Sequence, residues 1–184
     1  MSDNLETVVL GGGCFWCTEA VVQRLKGVEK VESGYANGLI PNPSYEAVCS
    51  GVSGYAEVVK VSFDNAVINF KDLLNIFMTS HDPTSLNRQG ADAGMQYRSG
   101  IYYQNAIQKQ LAEEVLVELA PVFGKPIVTE LEPLHNYFSA EASHQNYYNQ
   151  NQYAGYCRVV IEPKVSKLRG KYAAMLNDDA LAED

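Results

Sequence analysis

Two cysteines three residues apart, Cys14 and Cys17, carry the most informative chemistry in this sequence. Three glycines, Gly11 to Gly13, precede them and allow the backbone to turn sharply and to approach a ligand closely. N–H groups at the start of a helix favour negative charge, so we expect a thiol at position 14 to ionise readily. The pair therefore predicts a nucleophile with a redox partner beside it, and Phe15 and Trp16 add an apolar wall.

A Cys-x-x-Cys pair also occurs as half of a metal site, usually with a second pair or with histidines at short spacing. Here Cys49 and Cys157 are isolated, and the three histidines form no pair at ligand spacing. We therefore predict redox or nucleophilic chemistry, with no metal and no cofactor. Cys49 is interpreted as a structural residue, because an unpaired cysteine is commonly a small buried hydrophobe.

The composition limits the classes of function. The chain has 184 residues, 46% of them hydrophobic, and suits a single catalytic domain over 1–184, with a core at about 6–162 and a C-terminal helical extension at about 163–184. A net charge of -8 argues against a nucleic-acid partner, and no apolar run is long enough for a membrane span. The first residues lack the pattern of a signal peptide, and four cysteines are too few for a disulfide scaffold. We expect a cytoplasmic monomer.

The elements around the cysteines follow a recognisable order. A β-rich segment at 6–10 predicts a strand before Cys14, and Thr18 to Lys26 predicts a helix after it. Further strands are predicted at 28–35, 57–63, 101–103 and 127–131. Further helices are predicted up to residue 78, capped by Asn69 or Asp72, and at 106–120, 139–149 and 165–176. The order β-α-β-β-α-β predicts an α+β fold, a two-layer sandwich with a ferredoxin-like split βαβ core and added helices.

Two other segments are rich in groups that can donate protons or orient a ligand. Residues 45–57 contain Tyr45 and Glu57, and residues 92–99 contain Asp92 and Tyr97. Taken singly, each of these residues also has an ordinary interpretation as an edge carboxylate, a turn former or a core tyrosine with a satisfied hydroxyl. Their role depends on whether the fold brings them to Cys14.

The order and spacing of several motifs resemble those of the type A peptide methionine sulfoxide reductases, over about residues 7–162. The matching segments are Gly13-Cys14-Phe15-Trp16, 45–51, 55–59, the long run 81–99, Ala140-Glu141, His144-Gln145 and Gly155-Tyr156-Cys157. The resemblance implies reduction of the S epimer of methionine sulfoxide, free or in proteins. It also implies that thioredoxin is the external reductant.

The resemblance further implies roles for individual residues. Cys14 matches the family's nucleophile, and Phe15 and Trp16 match the walls that hold the substrate methyl group. The groups that bind and protonate the sulfoxide oxygen match Tyr45, Glu57 and Tyr97, and the acidic residue that supports this site matches Asp92.

The chemistry of a sulfoxide agrees with these roles independently. Its sulfur is a poor electrophile until its oxygen is hydrogen-bonded or protonated. An acid kept neutral by burial can supply that proton, and Glu57 at the start of an apolar strand is such an acid. Oxygen transfer leaves a sulfenic acid on Cys14, which condenses with a second thiol to form a disulfide.

The sequence leaves open which thiol resolves that sulfenic acid. Cys17 is three residues from Cys14, where only a small local adjustment is needed for a disulfide. Cys157 matches a family position that does this in members lacking Cys17. We predict that Cys17 attacks first and that Cys157 accepts the disulfide afterwards. A general disulfide oxidoreductase, and a metal-binding or chaperone-like module, remain the alternatives.

Overall fold

The computed structural model describes residues 4–51 and 53–182, and within them a mixed sheet of six strands forms the centre of the fold. The extreme ends of the predicted domain, 1–3 and 183–184, lie outside the described residues, as does Val52. The strands are β1 (Leu5–Gly11), β2 (Val28–Ala36), β3 (Ala56–Asp64), β4 (Arg88–Gln89), β5 (Asp92–Ala93), β6 (Gly100–Tyr103), β7 (Glu130–Pro133) and β8 (Tyr137–Ser139).

The sheet has the strand order β7-β6-β1-β3-β2-β8, and β4 and β5 form a separate small hairpin. The four central strands, β6-β1-β3-β2, are antiparallel throughout. This is the order of a split βαβ unit, so the predicted α+β fold with a ferredoxin-like core is confirmed. Strand β7 extends one edge in parallel with β6, and β8 extends the other edge antiparallel to β2.

The helices are α1 (Phe15–Val22), α2 (Tyr45–Cys49), α3 (Phe70–Thr79), α4 (Ala106–Phe123), α5 (Tyr147–Gln150), α6 (Glu162–Tyr172) and α7 (Asp178–Leu181). Helix α1 packs on β2 and β3 and is buried on almost every side. Asn69, rather than Asp72, caps α3, because its side-chain oxygen accepts the Asp72 N–H at 2.8 Å. A helix buried in this way holds the residues at its start rigidly.

The predicted helix over 139–149 is wrong. Ser139 ends β8, and the segment continues as one 3₁₀ turn, Ala142–His144, and the short helix α5. Asn146 between them has a positive φ of 53°, which no regular helix accommodates. Its backbone N–H binds the carboxylate of Glu19 at 3.0 Å, so a distant side chain replaces the helical hydrogen bond.

Other boundaries also differ from the prediction: the helix expected from Thr18 to Lys26 is α1, which runs from Phe15 to Val22. The strand expected at 127–131 is displaced to Glu130–Pro133, because its register is set by parallel pairing with β6, where Gly100 lies opposite Glu130. The last long helix begins at Glu162 and continues a π-helical turn, Cys157–Ile161, at its start. Val165 and Leu168 of α6 are buried in the same core as α1, so α6 lies directly behind the two cysteines.

Candidate active site

The turn between β1 and α1 delivers Cys14 to the start of the helix, as expected. Gly13 has φ +94°, and a Cβ there would lie 2.7 Å from Cγ of Gln89. A Cβ on Gly12 would lie 2.9 Å from the ring of Phe77. Position 13 therefore requires glycine because of its positive φ, and position 12 requires glycine because the ring of Phe77 leaves no space for a side chain. Cys14 itself is 8% exposed.

The ionisation of Cys14 differs from the expectation for a helix start. Burial raises the pKa of the Cys14 thiol well above its usual range, and its hydrogen bond to Cys17 and the negative charge of Glu57 raise it further. The backbone N–H of Trp16 lowers the pKa, but by less. The expectation that Cys14 ionises readily is therefore wrong: desolvation outweighs the helix start, and Cys14 is a protonated thiol in this state.

An aromatic cage surrounds one side of Cys14, and Phe15 and Trp16 form part of it. Phe15 is 1% exposed, and its ring centroid lies 6.4 Å from that of Tyr45. Trp16 stacks on Tyr147 at 3.8 Å, and its indole N–H donates to Nδ1 of His144 at 3.2 Å. These contacts fix both rings that the sequence predicted as walls.

Glu57 lies on β3 with its carboxyl group buried beside α1; it is 1% exposed. Its Oε1 accepts the backbone N–H of Phe15 at 3.1 Å, while Oε2 has no hydrogen-bond partner among the described residues. Burial raises the pKa of Glu57 to about 8, although the Phe15 N–H opposes the shift. The group is therefore mainly protonated at neutral pH, with one oxygen available to donate.

Tyr45 and Tyr97 reach the same space from two other elements. Tyr45 begins α2, and Tyr97 ends the 3₁₀ turn Met95–Tyr97, which packs against β3. Both are partly buried, and burial raises the pKa of each hydroxyl, with the negative charge of Glu57 as a further cause. The fold thus brings Cys14, Glu57 and two neutral phenolic donors together.

Asp92 is linked to the second thiol through Tyr156. Its Oδ2 accepts the hydroxyl proton of Tyr156 at 2.7 Å, and that hydroxyl oxygen lies 3.6 Å from Sγ of Cys17. These three side chains, with Cys14 and Lys164, line a cavity of about 170 Å³. We call it the thiol cavity. The charge of Asp92 also acts on Glu57 and raises its pKa.

The remaining cysteines differ in their surroundings. Cys17 is 5% exposed and Cys157 is 0% exposed, and neither forms a disulfide in this structure. The two thiols are close enough for the charge of Cys17 to raise the pKa of Cys157.

Cys49 at the end of α2 is exposed and hydrogen-bonds Tyr45. The short helix places it at the surface, and its interpretation as a structural residue stays a prediction.

Sequence reasoning gave no role to a second group that supports the cage. Glu141 accepts the hydroxyl proton of Tyr35 at 3.0 Å and the backbone N–H of Tyr45 at 3.1 Å. Its Oε2 lies 3.4 Å from Nε2 of His144, whose other nitrogen binds Trp16. The spacing of Glu141 and His144, three residues apart, was the available signal, but the 3₁₀ turn that joins them was predicted as a helix.

Within residues 4–51 and 53–182, no cluster of three or more histidine, cysteine or carboxylate side chains has the arrangement of a metal site. No helix in the same residues combines the length and apolar character that crossing a membrane requires.

The chain is similar to known proteins along most of its length. A family model described as peptide methionine sulfoxide reductase matches residues 6–176. A peptide methionine sulfoxide reductase MsrA from Deinococcus radiodurans is 54% identical over 173 residues, which cover 93% of this chain and 84% of the relative. One from Saccharolobus solfataricus is 51% identical and covers 89% of this chain and 92% of the relative.

Solved structures of Mxr1 also resemble the fold of this chain. Reduced Mxr1 from Saccharomyces cerevisiae has a TM-score of 0.79 at 34% identity, covering 85% of this chain and 91% of that chain. Mxr1 in complex with Trx2 has a TM-score of 0.56 at 26% identity, covering 80% of this chain and 87% of that one. With a matching fold, a cysteine–carboxyl site and a family model that spans nearly all of the sequence, the chain belongs to the peptide methionine sulfoxide reductase family.

Proposed function

We propose that this reductase acts on the S epimer of methionine sulfoxide, free or in proteins, through Cys14 and the buried acid Glu57. The observation that carries the proposal is the neutral carboxyl group of Glu57, whose Oε1 accepts the Phe15 N–H while Oε2 has no partner within 4–51 and 53–182. Such a group can deliver a proton to the sulfoxide oxygen, the step without which the sulfur is unreactive.

The first step transfers the oxygen. Phe15 and Trp16 receive the substrate methyl group, while the hydroxyls of Tyr45 and Tyr97 donate to the oxygen as it gains charge. Glu57 protonates the oxygen, the Cys14 sulfur takes it as a sulfenic acid, and the thiol proton of Cys14 restores the acid form of Glu57. Methionine leaves, because a thioether cannot accept the three donors.

The second step forms a disulfide between Cys14 and Cys17. A sulfur lone pair of Cys17 attacks the Cys14 sulfur, the S–O bond breaks, and the oxygen leaves as water. Two observations support Cys17 as the first attacker: its thiol hydrogen-bonds Cys14, and Tyr156 holds it from the other side. Asp92, which binds that tyrosine, supports this step as well as the charge of the site.

In the third step the Cys157 thiol attacks the Cys17 sulfur, which forms a Cys17–Cys157 disulfide and releases Cys14 as a thiol, and thioredoxin then reduces this disulfide by thiol–disulfide exchange. Cys157 is fully buried at the start of a π-helical turn, so that turn must open before a protein can reach it. Thioredoxin as the reductant is supported by the complex of Mxr1 with Trx2. No prosthetic cofactor takes part in this cycle. We also propose that residues 1–184 act as one catalytic domain, as a monomer in the cytoplasm.

Single-turnover disulfide mapping tests the cycle. One equivalent of each separate methionine sulfoxide epimer is added to the reduced protein, and the disulfides are mapped by mass spectrometry at increasing times. We expect oxidation by the S epimer alone, because a pocket that fixes both methyl and oxygen admits one arrangement at sulfur. We expect a Cys14–Cys17 bond first, with Cys157→Ser leaving its formation unchanged.

Two results would contradict the proposal. Equal rates with the two epimers would show that the pocket does not fix both substituents. A Cys14–Cys157 bond that forms as fast in Cys17→Ser as in the parent would remove Cys17 from the cycle. Cys14→Ser serves as the matched control, since it should abolish oxidation of the remaining thiols by the substrate.

A further inference from the structure

Lys164 on α6 is the feature of the thiol cavity that the reaction described above leaves unused. Its side chain is partly buried, and Nζ donates to the backbone oxygen of Ser80 at 3.1 Å. That hydrogen bond ties the ammonium group to the residue after α3 and holds it at the wall of the cavity. Among the described residues that line the cavity, Lys164 is the only one with a positive charge.

The charges around Cys17 otherwise oppose a thiolate. The titratable groups that act on its sulfur lie just before α1, on β3 and β5, at the start of the π-helical turn and on α6. They are Cys14, Glu57, Asp92, Tyr156, Cys157 and Lys164. Asp92 adds negative charge, and burial disfavours any charge on the sulfur. A cation fixed at the same cavity offsets both effects.

We propose that Lys164 is a positioning residue for disulfide formation, because its ammonium group stabilises the Cys17 thiolate that attacks the sulfenic acid of Cys14. The inference rests on the proposed function, in which Cys17 is the first attacker. The electron pair of the thiolate forms the S–S bond, the Cys14 S–O bond breaks, and the departing hydroxide takes up the carboxyl proton of Glu57 to leave as water.

The ionisation of the two candidate attackers agrees with this assignment. A hydrogen bond from Cys14, together with the charge of Lys164, lowers the pKa of Cys17 below its usual range despite its burial. Burial raises the pKa of Cys157, and the negative charge of Cys17 raises it further. Thiolates are the attacking species, so the cavity favours Cys17 over Cys157 by charge as well as by proximity.

The test is the pH dependence of Cys14–Cys17 disulfide formation in Lys164→Met. The background carries Cys49→Ser and Cys157→Ser, the sulfenic acid is generated with one equivalent of substrate, and the disulfide is followed by quench and mass spectrometry. We expect the pH midpoint of the rate to rise by about one unit, the usual effect of losing one opposite charge nearby.

The two pH profiles should also cross. A less stabilised thiolate is less abundant but more nucleophilic, with a Brønsted coefficient of about 0.4–0.5. The variant should therefore be about threefold slower than the parent well below both midpoints and about threefold faster well above them. A loss of packing alone would slow the reaction at every pH and would not move the midpoint.

Two control variants separate charge from packing. Lys164→Arg keeps the charge and should retain the parent midpoint, whereas Lys167→Met removes an exposed charge from the same helix and should also leave it unchanged. Alkylation of Cys17 against pH, in reduced Cys14→Ser protein of the same background, gives the midpoint without turnover. An unchanged midpoint in Lys164→Met by both measurements overturns the inference.

Failure of the proposed order would look different. In protein with all four cysteines, a first disulfide between Cys14 and Cys157 would contradict attack by Cys17, whatever the alkylation midpoint. A first Cys14–Cys17 disulfide combined with an unmoved midpoint in Lys164→Met would leave the proposed cycle intact and refute the role of Lys164 alone.

Discussion

Replacing Glu57 with Gln should make the protein more stable while it slows oxygen transfer. The amide keeps an oxygen that can accept the Phe15 N–H, now made at 3.1 Å, and places its NH₂ where the carboxyl Oε2 has no described partner. It cannot ionise. The parent, by contrast, must keep a carboxyl group protonated in the folded state at a pH where the unfolded chain would ionise it.

The size of this effect follows from proton linkage. Burial raises the pKa of Glu57 from an ordinary value of 4.5 to about 8 in the folded protein. A raised folded-state pKa gives a contribution to stability that is complete below the unfolded value and is lost as the pH rises towards the folded value. Compared with Glu57→Gln, the parent protein therefore loses about 1 kcal/mol of its free energy of unfolding at about pH 5 and about 3 kcal/mol at about pH 7.

The assay is urea unfolding of the reduced parent and Glu57→Gln proteins at a series of pH values. The free energy of unfolding of the variant minus that of the parent should increase by about 2.5 kcal/mol between about pH 5 and pH 7. Any effect of the amide that does not depend on pH cancels from this difference. Glu46→Gln, at an exposed position on α2, is the matched control and should show little change with pH.

Single-turnover oxygen transfer completes the test. Loss of a general acid costs about two to four orders of magnitude, so Glu57→Gln should form the sulfenic acid that much more slowly. In the parent, the rate should fall as the pH rises above about 8, where the acid loses its proton. A stability difference that is flat with pH would refute the raised pKa. An unchanged rate would refute the role of Glu57 as the acid and make Asp92 the next candidate.

Three further substitutions test the supporting geometry. Gly13→Ala should lower stability by at least about 1 kcal/mol and slow oxygen transfer, because φ is +94° and Gln89 would lie 2.7 Å from the new Cβ; urea unfolding and single-turnover rates check this. Tyr97→Phe should slow oxygen transfer by about two orders of magnitude, the usual loss for one preorganised donor, with the pH midpoint of disulfide formation unchanged. Glu19→Ala should lower the free energy of unfolding by about 1–3 kcal/mol, because the N–H groups of Asn146 and Tyr147, now bound at 3.0 and 3.3 Å, lose their acceptor.

Local patterns were sufficient for much of the fold. A β-rich segment predicted β1, and alternating apolar residues predicted β2 and β3, each to within one or two residues. A strand with one buried face imposes a period of two on its sequence. The glycines before Cys14 and the Asn69 cap likewise act over a few residues. From the order of these elements, the split βαβ topology followed.

Segments whose backbone is held by distant side chains were predicted poorly. The segment 140–150 was predicted as a helix, but the distant Glu19 accepts its Asn146 N–H, and its own Gln145 side chain accepts the backbone N–H of the distant Ser33. Strand β7 takes its limits from its neighbour β6. No local pattern contains these partners, because they lie far away in sequence and meet only in the folded protein.

The chemistry of the site also depends partly on local sequence and partly on contacts that form only in the folded protein. The sequence by itself determined which groups were available: the nucleophile, the second thiol, the aromatic walls, and the acid and phenols that the family resemblance identified. Only the tertiary structure decided their states. Burial keeps Glu57 protonated, overrides the helix start at Cys14, and brings Lys164 of α6 to the thiol cavity. Desolvation and charge proximity depend on distances between elements, which spacing along the chain does not contain.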